Sequence, residues 1–201
     1  MNISIIGTGY VGLVTGTFLA DFGLSVTCVD QDKTKISLLN SGGVPIYEPN
    51  LAPLIKKNVS AGRLTFATDL EKAVKESKVI FIAVSTPSND DGSANLVQIE
   101  EVAKQIALSI NNYKVIVIKS TVPVGTTRKI NEIINSFSPS PLKGEGGVRV
   151  KYPFDIVSNP EFLREGSVVY DFTHPDKIEC FDPPGNGKFP KSSFHSNLLP
   201  G

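Results

Sequence analysis

Three glycines, Gly7, Gly9 and Gly12, and a carboxylate, Asp30, are the residues whose spacing first suggests chemistry. The Gly-x-Gly-x-x-Gly pattern follows the apolar run Ile3–Ile6 and opens an apolar stretch from Val11 to Phe22. That order reads as a strand, a tight turn and a helix start. The first glycine permits the turn, the second lets backbone approach a pyrophosphate, and the third lets helix pack on strand. The helix N-terminus adds unpaired N–H groups and the positive end of its dipole. Asp30 lies 18 residues beyond Gly12, closing the apolar run Ser25–Val29. A carboxylate there accepts hydrogen bonds from both ribose hydroxyls and repels a 2′-phosphate. The arrangement predicts a dinucleotide site that favours NAD over NADP. Glycines serving a βα turn alone would leave Asp30 unexplained.

The elements that must position these residues alternate along the chain. Strands are expected at Ile3–Ile6, Ser25–Val29, Leu64–Phe66, Val79–Val84, Val115–Ile118 and Phe154–Val157. Helices are expected at Val11–Phe22, Asp32–Asn40, Leu51–Ser60 (capped by Asn50), Asp69–Lys75, Leu96–Ile110 and Val124–Ile134. Continuous apolar runs such as Val79–Val84 suit strands buried on both faces. Repeated βα units of this kind predict an α/β fold. It is a Rossmann-type, doubly wound, mostly parallel sheet with helices on both faces. Residues 138–150, rich in Pro and Gly, read as an irregular surface insertion. Residues 1–178 read as one domain. In the tail 179–201, seven of 23 residues are Gly or Pro, and no regular structure is expected there.

Ligands in such sheets bind beyond the carboxyl ends of the strands. Those ends carry Asp30 with Lys35, then Ser85-Thr86-Pro87, then Lys119-Ser120-Thr121, and finally Ser158 through Gly166. Hydroxyls and N–H groups there could line the nicotinamide half of a cofactor. Ser85, Thr86, Ser120 and Thr121 serve equally well as helix caps. Lys35 has the alternative of a solvated helix charge. Glu161 and Glu165 stand four apart, one helical turn, and two acids at a helix start also complement its dipole.

Composition sets the background. The chain has 201 residues, 40% apolar and 20% charged, with zero formal net charge and a pI near 6.7. Nothing in that balance suggests a nucleic-acid partner or an anionic membrane surface. No apolar run reaches the roughly 18 residues of a membrane span, and a cytoplasmic location is expected. Two cysteines, Cys28 and Cys180, make neither a disulfide framework nor a metal pattern. Cys28 reads as a small buried hydrophobe.

Taken together, Gly7–Gly12, Tyr47-Glu48-Pro49, Ser85-Thr86-Pro87, Ser120 to Gly125 and Asn159 to Gly166 resemble the UDP-glucose/GDP-mannose dehydrogenase family. The resemblance runs from Met1 to about Ile178. The Val11–Gly16 wording and the Asn159–Gly166 segment favour the UDP-glucose branch. GDP-mannose or another nucleotide sugar remains the alternative. Two other readings stay open, a non-catalytic NAD-binding module and another Rossmann dehydrogenase, such as one for hydroxyacyl thioesters. The Asn159–Gly166 motif argues against the last.

The resemblance implies oxidation of UDP-glucose to UDP-glucuronate by successive hydride transfers to NAD, through a cysteine-bound thiohemiacetal and thioester. It implies that Gly7, Gly9, Tyr10, Val11, Gly12, Asp30, Lys35, Thr86, Thr121 and Glu165 contact NAD. It also places Glu161, Phe162, Leu163, Arg164 and Glu165 at the sugar end of the substrate. Glu161 would be the base that activates water, with Thr121 helping to hold that water. The family's nucleophilic cysteine sits in a Gly-Gly-Ser-Cys-like motif of a second domain, reached through a long helix that carries most homodimer contacts. This sequence has neither, and Cys180 lacks the glycine context. The expectation is therefore a chain that binds NAD but does not complete the oxidation alone; one hypothesis for its origin is a truncated gene with a frameshift near Ile178, with a natural truncation or a fragment left open.

Overall fold

The computed structural model describes residues 1–137, 152–160, 163–164 and 166–174, with the backbone of 177–180 and 192–195. The first half alternates β1 (Asn2–Ile6), α1 (Tyr10–Asp21), β2 (Ser25–Val29), α2 (Lys33–Asn40), α3 (Leu51–Ser60), β3 (Leu64–Ala67) and α4 (Leu70–Glu76). The second half follows with β4 (Val79–Ile82), α5 (Val97–Ser109), β5 (Lys114–Ile118), α6 (Thr126–Phe137), β6 (Phe154–Ser158) and α7 (Val168–Thr173). Strands β1 to β6 form one parallel sheet in the order β3-β2-β1-β4-β5-β6. This is the doubly wound order whose direction reverses between β1 and β4. The expected Rossmann-type α/β fold is the one observed.

The alternation of side chains along each strand divides the core between the two faces. Ile3 and Ile5 of β1 join Leu13, Val14 and Phe18 of α1 in one cluster. Ile6, with Ile80 and Ile82 of β4, joins Ile99 and Ile106 of α5 and Ile130 and Ile134 of α6 in the other. β-branched Ile and Val dominate the central strands because both faces are covered by helices. Helix α1 is buried along most of its length and touches the sheet through small residues. A Cβ at Gly16 would overlap the Cys28 sulfur. Cys28 is fully buried, and burial pushes its thiol pKa up to about 12. It is the packed hydrophobe that the sequence suggests.

Several local expectations need correction. Asn50 occupies the cap position of α3 but makes no side-chain cap bond. Its φ of 65° places it in the left-handed region, which asparagine tolerates, and the Leu51 N–H is met by the Glu48 carbonyl at 3.2 Å. Helix α6 begins at Thr126 rather than Val124. Gly125 has a φ of 94°, which no helix continues, and Val124 is fully exposed. Strand β4 ends at Ile82 rather than Val84. The Ile82 carbonyl accepts the N–H groups of both Lys119 and Ser120, so the ladder closes there. The tail, expected to lack regular structure, contributes to a two-stranded antiparallel sheet of β7 (Lys177–Cys180) and β8 (Ser192–His195). Its prolines and glycines fall between and after these two stretches, leaving four residues in each that can pair.

Candidate functional site

The glycine turn sits where the strand order reverses. The Gly7 N–H donates to the Val29 carbonyl at 2.8 Å, and the Ala83 N–H donates to the Ile6 carbonyl at 2.8 Å. Gly7 has a φ of 104°, and a Cβ there would lie 2.6 Å from the Ala83 carbonyl oxygen. A Cβ at Gly12 would overlap the Gly7 carbonyl oxygen. Gly9 differs from both. It caps α1 with a φ of −70°, and a Cβ there would meet no atom within 4 Å. Gly7 and Gly12 are therefore required by packing, whereas Gly9 leaves open space at a helix N-terminus. That is the arrangement through which an anionic phosphate can approach backbone N–H groups. Tyr10 and Val11, the first residues of α1, pack against the core cluster on the same face as Phe18.

Asp30 closes the turn from the second strand. Its Oδ2 accepts the Thr8 N–H at 2.9 Å, the Thr8 hydroxyl at 2.8 Å and the Lys35 ammonium at 3.0 Å. Its Oδ1 accepts the Asp32 N–H at 3.0 Å. Burial alone would raise the Asp30 pKa. The N–H groups of Asp32 and Thr8, the Thr8 hydroxyl and Lys35 together hold it below the usual aspartate range. The carboxylate is therefore ionised at neutral pH. With one recorded bond against three on Oδ2, Oδ1 keeps acceptor capacity for a ribose hydroxyl. Lys35 is thus not a freely solvated charge; it partners Asp30. Its placement follows from Asp32, whose side chain caps α2 by accepting the Thr34 and Lys35 N–H groups.

A cleft of about 490 Å³ opens beside this turn. Gly7, Gly9, Asp30 and Lys35 line it, together with Val97, Glu101 and Gln105 of α5. The sequence reading did not assign α5 to the site. Its amphipathic face is legible, but which helix faces the cleft follows from how the crossovers pack.

The loops after β4 and β5 are fastened to each other. The Thr86 hydroxyl donates to the Thr121 carbonyl at 2.8 Å, and the Ser120 hydroxyl donates to the Val84 carbonyl at 2.7 Å. In these bonds Thr86 and Ser120 join loops rather than cap helices. The Lys119 ammonium donates to Asn159 Oδ1 at 3.2 Å, extending the connection to β6. Leu163 packs on the α1 side of the core. The Arg164 guanidinium pairs with Asp171 at 2.6 Å. Glu161, Phe162 and Glu165 lie outside the described residues.

Two residues with evident roles went unassigned from sequence. Thr8 supplies two of the four bonds to Asp30; its position between the glycines was the available signal. Glu48 accepts the Tyr10 hydroxyl at 2.6 Å. It belongs to a motif visible in the sequence, flanked by Tyr47 and Pro49, but its target lies far along the chain.

A parallel sheet with its reversal at a glycine turn, an open helix N-terminus and an ionised acid at the next strand end define a dinucleotide-binding domain. The chain belongs to the UDP-glucose/GDP-mannose dehydrogenase family, whose NAD binding domain matches residues 1–180. UDP-glucose 6-dehydrogenase YwqF of Bacillus subtilis is 48% identical over 178 residues, which cover 89% of this chain and 38% of that protein. The UDP-glucose 6-dehydrogenase of Rhizobium meliloti is 48% identical over 179 residues, with the same coverage of 89% and 38%. Among solved structures, a UDP-glucose dehydrogenase from Pyrobaculum islandicum matches with a TM-score of 0.81 and 37% identity, covering 90% of this chain and 40% of its own. A GDP-mannose dehydrogenase ternary complex from Pseudomonas aeruginosa gives the same TM-score and identity over 91% of this chain and 41% of its own. The chain thus spans roughly two fifths of these relatives. NAD is the cofactor of this domain, and the open space at Gly9 with the ionised Asp30 fits it. Among the described residues no helix is long and apolar enough to cross a membrane.

Proposed function

We propose that this chain holds NAD along the carboxyl edge of its sheet and presents it to the sugar of UDP-glucose. The open space at Gly9, set against the blocked positions of Gly7 and Gly12, is the observation that carries this reading. Gly9 and the first turn of α1 receive the pyrophosphate. Asp30 receives the adenosine ribose, with Lys35 and Thr8 fixing its orientation. Bound NAD supplies a hydride acceptor. Thr86 and Thr121, joined to each other, form the floor for its nicotinamide end, and Glu165 is a further cofactor contact. The family resemblance assigns residues 161–165 to the sugar, with Glu161 taking a proton from water in the hydrolytic step and Thr121 helping to hold that water.

The two cysteines of this sequence do not supply the covalent step. Cys28 is buried against α1 with its thiol strongly disfavoured from ionising, and the thiolate is the nucleophilic form. Cys180 stands in a Glu-Cys-Phe-Asp context without flanking glycines. The chain by itself therefore binds NAD without turnover, and completing the oxidation requires a nucleophile from elsewhere. Calorimetric titration with NAD, then with UDP-glucose or GDP-mannose, alongside NADH absorbance, tests each part. Heat with NAD and no NADH is expected. No heat from a folded chain overturns the cofactor site. NADH formation overturns the argument about the cysteines, and preferential heat with GDP-mannose overturns the choice of sugar nucleotide.

A further inference from the structure

Glu48 lies in the loop between α2 and α3, where it is only 6% exposed. Its carboxylate gathers donors from two distant parts of the chain. Oε2 accepts the Tyr10 hydroxyl at 2.6 Å and the Gly166 N–H at 2.8 Å; Oε1 accepts the Val168 N–H at 2.9 Å. Tyr10 directly follows Gly9 and begins α1. Gly166 and Val168 end the segment that follows β6 and begin α7. The contact is reinforced by packing. Val168 is fully buried, and Phe172 of α7 stacks on Phe18 of α1 with ring centroids 4.5 Å apart. A buried carboxylate persists where its oxygens are fully engaged by donors. Burial would raise the Glu48 pKa, but Tyr10, Gly166 and Val168 outweigh it and hold the group ionised.

We infer that Glu48 is a positioning residue that ties the segment after β6 to the cofactor turn through Tyr10. NAD seated at the turn then stiffens Gly166 to Val168 as well. This rests on the NAD reading above. The chemistry calls for a carboxylate of this length. Both of its oxygens must accept, one of them from two donors, and glutamine would turn an NH₂ group toward an N–H.

The test is amide hydrogen exchange at Gly166 and Val168 in the 201-residue chain, without and with saturating NAD, with binding verified by calorimetry. In the wild type, NAD is expected to slow both amides at least about fivefold, the lower end of typical site-to-site coupling. Glu48→Gln should exchange faster at both amides without ligand and lose the response to NAD. Tyr10→Phe keeps the acceptors for both amides and should likewise lose the response at saturating NAD. A Glu48 that merely holds the fold would give protected amides with no NAD response in the wild type, which overturns the proposal. A full response in Glu48→Gln or Tyr10→Phe also overturns it. Should Glu48→Gln fail to fold, the wild type and Tyr10→Phe decide. A wild-type chain giving no heat with NAD overturns the cofactor reading together with this one; heat without an amide response overturns this one alone.

Discussion

Alanine at Gly9 and alanine at Gly12 should fail in opposite ways. Gly9 has a φ of −70° and a ψ of −171°, which alanine adopts without strain. Its added methyl would touch nothing within 4 Å. Restricting the unfolded chain stabilises by about 0.4–1 kcal/mol, and alanine's poorer performance at a helix cap costs a similar amount. The two nearly cancel, so the melting temperature should stay within about 4 °C of the wild type. The methyl nevertheless fills the space that the pyrophosphate needs. Losing one hydrogen bond to a charged group costs about 1.5–3 kcal/mol, so Kd for NAD should rise roughly 10- to 100-fold. At Gly12 the methyl overlaps the Gly7 carbonyl oxygen, a backbone atom that cannot swing aside. Overpacking of this kind costs about 1–3 kcal/mol. For a chain of this size that lowers the melting temperature by about 2–12 °C. Calorimetric titration and thermal denaturation of both variants read the two effects separately. Wild-type affinity in Gly9→Ala would refute the placement of the phosphate. A Gly12→Ala chain as stable as the wild type would refute the packing argument.

Asp30→Asn removes the charge that repels a 2′-phosphate and weakens the hold on Thr8; NAD affinity should fall about tenfold while the NAD-over-NADP preference narrows, as parallel titrations would read. Asp30 and Glu48 both have folded pKa values below their unfolded ones. Their stabilisation is therefore complete above about pH 5 and is lost as pH falls through the folded values, because the unfolded chain takes up protons first. Urea midpoints should drop as pH falls below about 5, less steeply in Glu48→Gln; a midpoint that rises on acidification contradicts the assignment. Gly16→Ala should destabilise by about 1–3 kcal/mol through overlap with the Cys28 sulfur. Cys28→Ala should relieve it, so the double variant loses less than the sum of the single ones in a denaturation cycle.

Much of the candidate site's geometry was legible because its determinants are local. The three glycines and Asp30 lie within 24 residues, and each is constrained by backbone that the sequence pattern already implies. Strand positions were legible for the same reason, since continuous Ile and Val runs mark strands buried on both faces. Helix ends were less so. Asn50 has a capping side chain, yet its left-handed backbone withholds it. Val124 precedes a glycine whose positive φ breaks the helix there. The role of Glu48 was not legible at all. Its motif is visible, but its amide donors lie 118 and 120 residues away, and no periodicity encodes such a pairing. The α5 lining of the cleft shares that difficulty, because it follows from packing between elements far apart in sequence.

The parallel sheet explains how two segments remote in sequence come together. With all six strands parallel, every carboxyl end lies on one edge. The segment leaving β6 therefore starts from the edge that also carries the exits of β5, β4 and β1. It is fixed where it departs, by the Asn159 N–H on the Ile118 carbonyl at 2.9 Å. It is fixed again from Gly166 onward, by Glu48 and by the stacking of Phe172 on Phe18. The second anchor reaches α1, the helix that follows the glycine turn, through Tyr10 and Phe18. Any displacement of that helix start is thus felt by the same backbone that closes the β6 segment. An antiparallel β6 would put its exit at the opposite edge, remote from Tyr10, and neither anchor could form. The Glu48 bond is in this sense a consequence of topology, and its strength decides whether the two motifs act as one body or as two.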